Sequence, residues 1–334
     1  EYGGSCQEKK PLLEIANSIW IGKPQFSLQS AYASVVGDLT RNIDFTAQSA
    51  GDTVNAWVDE QTHGLISDIV DTGPIEADVL AINAIYLNAS WSTPFQERNT
   101  NADTFYDSPT RATALASQAH FMHLVDYFQH YTGSALPGYQ VLKLPYSTSS
   151  MSMIVALPDG SGSSTTTSTA VLGVLSQMAS TRVAVALPKF KFESTYQTVL
   201  KRTLQSLGMT VPFEDGFDRM IEGEELFITD IIQKTFINVY EKGTEAAAVT
   251  AIMMRTTSAR EHQDPVLFLA DHPFQFWIYD ATEDLVLFEG RVGDPGLVEG
   301  SSAPLQAAHS DTDLWSRNFH VDVVRSTASS AQRA

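Results

Sequence analysis

Hydrophobic and polar positions change period several times along the chain, and each change marks an element. Val54, Trp57, Val58, Leu65, Ile66 and Ile69 recur by threes and fours, which predicts an amphipathic helix over residues 52–70. Thr195 to Leu207 repeats that pattern and is closed by Gly208, which predicts a second helix. Asn17 to Ile21 is short and apolar, as a strand should be. Val79 to Leu87 is nearly all apolar and predicts a strand buried on both faces. Its polar intrusion, Asn83, should belong to a hydrogen-bonded core cluster, because a buried amide needs partners. Gln140 to Tyr146 and Met151 to Leu157 are further strands, joined by a hairpin-like turn at Ser147 to Ser150. Gly160 to Thr169 is a Gly/Ser/Thr loop. Val266 to Leu269, Phe274 to Tyr279 and Val286 to Phe288 read as three late strands. No internal repeat is visible. The sum is an α+β fold dominated by mixed and antiparallel sheets.

Composition narrows the function. The 334 residues suffice for a large core, and 43% hydrophobic with 18% charged residues argues against wholesale disorder. The net charge of −18 repels phosphate backbones and anionic lipid, which disfavours nucleic acid and membrane surfaces as partners. No apolar run approaches the ~18 residues of a spanning helix. Cys6 is the only cysteine, so neither an internal disulfide nor a four-cysteine zinc site is available. Residues 1–10 form a polar stub without an apolar signal core. From about Gly296 to Ala334 the chain is rich in Ser, Ala, Asp and Arg and reads as a disordered tail, within which Phe319 to Val323 alternates like a short strand or docking peptide. Residues 11–295 are the folded body.

Enzyme signatures are weak. No Gly-x-Ser-x-Gly elbow occurs. Gly160-Ser161-Gly162 lacks the remainder of a phosphate-binding fingerprint. His120, His123 and His130 fit no established metal spacing, and Asp126 is the only carboxylate among them. Asn88-Ala89-Ser90 is formally a glycosylation acceptor, but it ends a buried strand. The residues identify no catalytic group, metal or cofactor.

The informative stretch is Glu241-Lys242-Gly243-Thr244-Glu245-Ala246-Ala247-Ala248-Val249-Thr250-Ala251, following the alternating strand Phe236 to Tyr240. Two readings fit. Glu-Ala-Ala-Ala after a threonine is a good helix start. The same residues are also able to become a strand. Thr244, Ala246, Ala248, Thr250 and Ile252 then share one face, mostly small and wholly uncharged, while Glu245 points to the other. Small side chains suit insertion into an existing sheet, where overpacking costs ~1–3 kcal/mol per site. Gly243 supplies hinge freedom.

Glu241 to Ala251 closely resembles the reactive-centre-loop hinge of the serpin family. The resemblance extends, in order, over nearly all of residues 12–295. It runs through Asn17-Ser18-Ile19-Trp20, then Asn55-x-Trp57-Val58-x3-Thr62-x-Gly64-x-Ile66, then Asn83-Ala84-Ile85-Tyr86 with Trp91, Phe95, Thr100 and Phe105. Leu144-Pro145-Tyr146, Leu157-Pro158, Leu187-Pro188-Lys189-Phe190, Leu207-Gly208-Met209, Ala270-Asp271-His272-Pro273-Phe274 and Phe288-x-Gly290-Arg291-Val292 complete it.

The resemblance implies a serpin-like architecture: a large mixed central sheet, further sheets, surrounding helices and an exposed reactive-centre loop. By the same comparison the chain as given lacks the helices that precede the strand containing Asn17. It also implies a function, inhibition of serine-type endopeptidases as a suicide substrate, rather than catalysis. The partner would be a serine or cysteine protease in a covalent acyl complex, and the chain a monomer. Gly243, Thr244, Glu245, Ala246, Ala247 and Ala248 match the loop hinge. Trp91 and Glu241 match positions at the top of the opening sheet, and Asn83 an amide at its central gate. Gln233 stands where the family usually has histidine. Family spacing puts the scissile bond at Thr257–Ser258, with Arg255–Thr256 and Arg260–Glu261 as alternatives for a trypsin-like protease. An extracellular location follows from the resemblance, with the cytoplasm as alternative. The alternative function is a non-inhibitory serpin-fold binding or storage protein.

Overall fold

The computed structural model describes residues 12–22, 28–147, 150–214, 220, 226–244 and 264–295. In chain order the strands are β1 (Leu12–Ile21), β2 (Thr40–Asn42), β3 (Val79–Ser90), β4 (Thr100–Tyr106), β5 (Ala114–Thr132), β6 (Tyr139–Pro145) and β7 (Met151–Pro158). They continue as β8 (Ala179–Pro188), β9 (Phe190–Tyr196), β10 (Ile228–Tyr240), β11 (Gly243–Thr244), β12 (Val266–Leu269), β13 (Phe274–Asp280) and β14 (Leu285–Val292). The α-helices are α1 (Ser30–Val36), α2 (Ala50–Gln61), α3 (Ser168–Leu172) and α4 (Thr198–Ser206). None of the described helices is long and apolar enough to cross a membrane.

The chain divides into two compact units. Among the described residues, those within Leu13–Leu87 and Glu193–Ile237 form one, and those within Asn88–Phe192 and from Asn238 to residue 295 form the other. Neither is continuous in sequence.

In the first unit β3 and β10 lie side by side, parallel, from Val79/Ile228 to Tyr86/Phe236. The apolar run of β3 suits a central parallel strand. One face packs against α2, whose Val54 and Val58 join Trp20, Leu80, Ile82, Ile232 and Phe236 in a core cluster. The helix ends at Gln61, short of the residue-70 boundary expected from periodicity. Thr62 explains the stop: its hydroxyl donates to the Val58 carbonyl at 2.8 Å and accepts from the Ile66 amide at 3.1 Å. His63 and Gly64 then take positive φ, which no helix accommodates. Asn55 folds the following segment back, accepting from the Ile69 and Val70 amides and donating to the Val70 carbonyl. Leu65, Ile66 and Ile69 therefore reach the core anticipated for them, but from an irregular return path. The second helix is likewise shorter than its pattern: Thr195 and Tyr196 finish β9, and α4 begins at Thr198.

The second unit is built on a sheet ordered β12-β8-β5-β6-β7-β13-β14, with β4 beside β5. Its pairings are antiparallel except β12–β8. Around β13, Phe190, Phe192, Phe274 and Phe276 contact one another with ring centroids 5.2–6.3 Å apart. On the face of β6, β7 and β13 covered by α3, Val171 meets Tyr139, Val141, Ile154, Ala156 and Trp277. His272 ties the start of β13 to the end of β7. Its Nε2 lies 2.7 Å from the Pro158 carbonyl and its Nδ1 2.9 Å from Asp271, whose other oxygen accepts from Arg111 at 2.7 Å.

Candidate functional site

The segment after β10 turns through Glu241 and Lys242 and re-enters the sheet as β11. There Gly243 and Thr244 stand opposite Ser90 and Ala89 of β3 and opposite Tyr240 and Val239 of β10. Glycine is required by crowding. A Cβ on Gly243 would lie 2.1 Å from the Ala89 carbonyl oxygen and 2.7 Å from the Ser90 Cα. Thr244 is fully buried, and its hydroxyl lies 2.7 Å from that of Tyr146. Thr244 is thus the second residue of a short strand, and the residues after it, for which both a helix and a strand were considered, lie outside the described residues.

Aromatic side chains hold this corner. Trp91 stacks on Tyr146 at 4.6 Å and 8°. The Trp91 ring nitrogen donates to the Tyr240 carbonyl, and its amide to that of Lys242, both at 2.9 Å. Burial pushes the Tyr146 hydroxyl pKa well up, so it remains a neutral hydrogen-bonding group. Glu241 is buried beside them. One carboxylate oxygen accepts from the Thr100 hydroxyl at 2.8 Å and the other faces the Lys189 ammonium at 3.1 Å. Burial alone would raise the Glu241 carboxyl. Its backbone amide, Thr100 and Lys189 outweigh that and hold it below the usual range. Lys242 reaches Glu97 at 3.4 Å on the surface.

In the other unit, Asn83 and Gln233 are cross-strand partners in the β3–β10 ladder. Gln233 donates to the Asn83 side-chain oxygen at 3.0 Å, and Asn83 donates to Asn17 at 2.7 Å. The expected amide cluster thus forms, though not in the core: Asn83 and Gln233 are half-buried and Asn17 is exposed. They lie on the face of β3 and β10 turned away from α2. The next residue, Lys234, points to the opposite face, where it donates to the Asp68 carbonyl and pairs with Glu193. The hydroxyl of the fully buried Thr235 has no hydrogen-bond partner among the described residues.

Of the residues singled out from sequence, the structure brings Trp91, Glu241, Gly243 and Thr244 together in one unit and Asn83 with Gln233 in the other. Glu245, Ala246, Ala247, Ala248, Arg255, Thr257, Ser258 and Arg260 lie outside the described residues, as does the segment 296–334. Tyr146, Thr100 and Lys189 carried no assigned role in the sequence. Their positions 98, 141 and 52 residues from their partners left no local signal. His120 and His130 are ten residues apart on β5, about 33 Å along an extended strand, and His123 points to the other face. No group of three potential metal ligands occurs among the described residues. Asn88 is half-buried, and the Ser90 of its acceptor motif is paired to Gly243.

The family described as "Serpin (serine protease inhibitor)" matches residues 3–295, and the chain belongs to it. It is 32% identical over 295 residues to an uncharacterized serpin-like protein of Thermococcus kodakarensis, covering 85% of this chain and 67% of that one. It is 31% identical to serine protease inhibitor 42Dd of Drosophila melanogaster, covering 86% and 77% respectively. Against antichymotrypsin-2 of Bombyx mori the identity is 32%, with 83% and 75% covered. Among solved structures, Serpin48 of Tenebrio molitor superposes with a TM-score of 0.68 at 30% identity, over 87% of this chain and 78% of that one. Native tengpin gives 0.71 at 28% identity, over 86% and 74%.

Proposed function

We propose that the chain inhibits serine-type endopeptidases as a suicide substrate. The protease's nucleophilic serine attacks the carbonyl carbon at the scissile bond, the new amino terminus leaves, and an ester joins the two proteins. Family spacing assigns the bond to Thr257–Ser258, with Arg255–Thr256 and Arg260–Glu261 next. The residues from Thr244 onward then pass between β3 and β10 as a new strand, carrying the acyl-linked protease with them. Reactive-loop insertion is an established form of strand addition. About a dozen inserted residues gain on the order of 10 kcal/mol at ~0.5–1.5 kcal/mol per hydrogen bond.

One observation carries this reading. Gly243 and Thr244, the first two residues of the small-residue tract, already form a strand held on both sides, with Thr244 fully buried. Insertion then extends an existing strand and needs no new nucleus. The direct test is incubation with trypsin-, elastase- and subtilisin-like proteases. A complex that survives SDS is expected with at least one, and loop cleavage with no complex across the panel would refute the proposal.

A further inference from the structure

We propose that Arg291 on β14 binds a small tetrahedral oxyanion, phosphate or sulfate, beside the Ser/Thr segment 163–169. The strand registers place the groups. Arg291 stands opposite Gln275 of β13 and Glu289 opposite Trp277, so all four share the face on which Trp277 meets Val171 of α3. Gln275 ties the segment down. Its side-chain nitrogen donates to the Thr166 carbonyl at 3.1 Å, and its side-chain oxygen accepts from the Thr166 amide at 2.7 Å. The Tyr139 hydroxyl donates to the Ser163 carbonyl at 2.8 Å, and the Ser168 hydroxyl to Glu289 at 2.7 Å. The segment is thus pinned across Gln275, next to Arg291, with Ser163, Ser164, Thr165 and Thr167 exposed.

In this polar patch Tyr139, Gln275, Ser168 and Glu289 are each matched by a neighbour. Arg291 is not. Its guanidinium is half-buried, its Nε is shielded from solvent without a hydrogen-bond partner, and no ion pair among the described residues includes it. Glu289, two residues back on the same face, is bonded to Ser168 instead. Burial depresses the Arg291 pKa, with the Tyr139 phenol acting the other way, yet an arginine stays protonated. The Trp277 indole nitrogen, a diagonal neighbour, is also buried without an acceptor among the described residues. Buried charges are ordinarily paired and buried donors ordinarily bonded. Two donors without an acceptor, one of them charged, call for an anion. The guanidinium fork matches two oxygens of a phosphate or a carboxylate. The exposed hydroxyls of the segment offer donors for further oxygens, which favours the tetrahedral ion. One such cation in a chain of net charge −18 suits a single small ion and excludes polyanions. A bound ion ties the segment to β14 as Gln275 ties it to β13.

The test is thermal unfolding of the parent chain, Arg291→Met and Arg291→Lys in inorganic phosphate, acetate or chloride at matched ionic strength and neutral pH. With a Kd of about 1 mM, the parent midpoint in about 20 mM phosphate should stand about 4 °C above its chloride value. Arg291→Met should lose that gain. Arg291→Lys, which keeps the charge without the fork, should lose most of it. Phosphate also stabilises proteins generally by exclusion from their surfaces, so the site is read as the difference between parent and variant. Calorimetric titration of phosphate into the parent should saturate at one ion per chain, and binding to Arg291→Met should be at least about tenfold weaker. If the methionine variant folds poorly, the lysine variant carries the comparison. A phosphate gain equal in all three chains, or no saturable binding by the parent, overturns the site. A gain in acetate as large as in phosphate overturns its assignment to a tetrahedral ion.

Discussion

The corner around β11 and the amide row of β3 and β10 are held in opposite ways. At the corner, the polar groups of Trp91, Tyr146, Glu241 and Thr244 are buried and paired, with a stacked ring pair closing them in. In the amide row, half-exposed side chains make two hydrogen bonds in series, and close by a buried Thr235 hydroxyl has no partner among the described residues. Net hydrogen-bond contributions are small when water competes and large when a buried group is stranded. The corner is therefore the costly place to disturb. The β3–β10 ladder, which a new strand would have to separate, is tied on its amide face by bonds that water can replace.

The largest expected effect is at Thr244. Thr244→Arg puts a charge into a fully buried position against Tyr146, where an uncompensated ion costs roughly 3–5 kcal/mol. The hinge should leave the sheet. On the proposed mechanism the variant becomes a substrate: gel analysis with an inhibited protease should show cleaved chain where the parent shows complex. Retention of complex formation would mean that β11 is not where insertion starts.

Glu241→Gln should be milder. Lys189 is partly exposed and stays solvated when its partner is neutralised, so the loss is about 1–2 kcal/mol. The pH dependence carries the sign. The folded Glu241 carboxyl sits below its ordinary value of 4.5, so its stabilisation is complete above that pH and is lost as pH falls through the folded value. Asp271 behaves the same way below its ordinary 3.8: burial opposes its ionisation, and hydrogen bonds from His272 and Arg111 with their charges overcome it. Urea titrations between pH 2.5 and 6 should give a shallower acid slope for Glu241→Gln than for the parent. Identical slopes would remove Glu241 from the acid-sensitive groups.

Much of this was legible in the sequence. The strands read at Asn17, Val79, Gln140, Met151, Phe236, Val266, Phe274 and Val286, the small-residue tract and the motifs carrying the serpin resemblance depend on local period and local chemistry, whereas β2, β4, β5, β8 and β9 carried no strand reading. The failures share a cause. Leu65, Ile66 and Ile69 continue a helical spacing that the chain does not follow, because Thr62 closes the helix with its own hydroxyl and Asn55 recaptures the chain. Asn83 was expected in the core because its neighbours are apolar, yet on its face of β3 and β10 the buried cluster gathers around Val79, Ala81, Ile228 and Ile231, and Asn83 itself is only half-buried. Tyr146 and Lys189 were visible only as motif members. Their roles come from partners dozens of residues away, and nothing local encodes those.

The smallest expected effect sharpens the contrast with which the corner and the amide row began. Asn83→Ala removes both side-chain bonds of the row but strands no deeply buried group, since water reaches Asn17 and Gln233. The loss should be about 0.5–1.5 kcal/mol. The apparent melting midpoint, scanned at fixed rate, should fall by about 1–4 °C. Gln233→His, which keeps a ring N–H able to donate to Asn83, should fall less than that. On the proposed mechanism the row opposes separation of β3 and β10, so Asn83→Ala should form protease complex at least as fast as the parent. A midpoint loss as large as that of Thr244→Arg, or a slower complex, would show that the amide row is as tightly coupled as the buried corner, and the distinction between the two regions would fail.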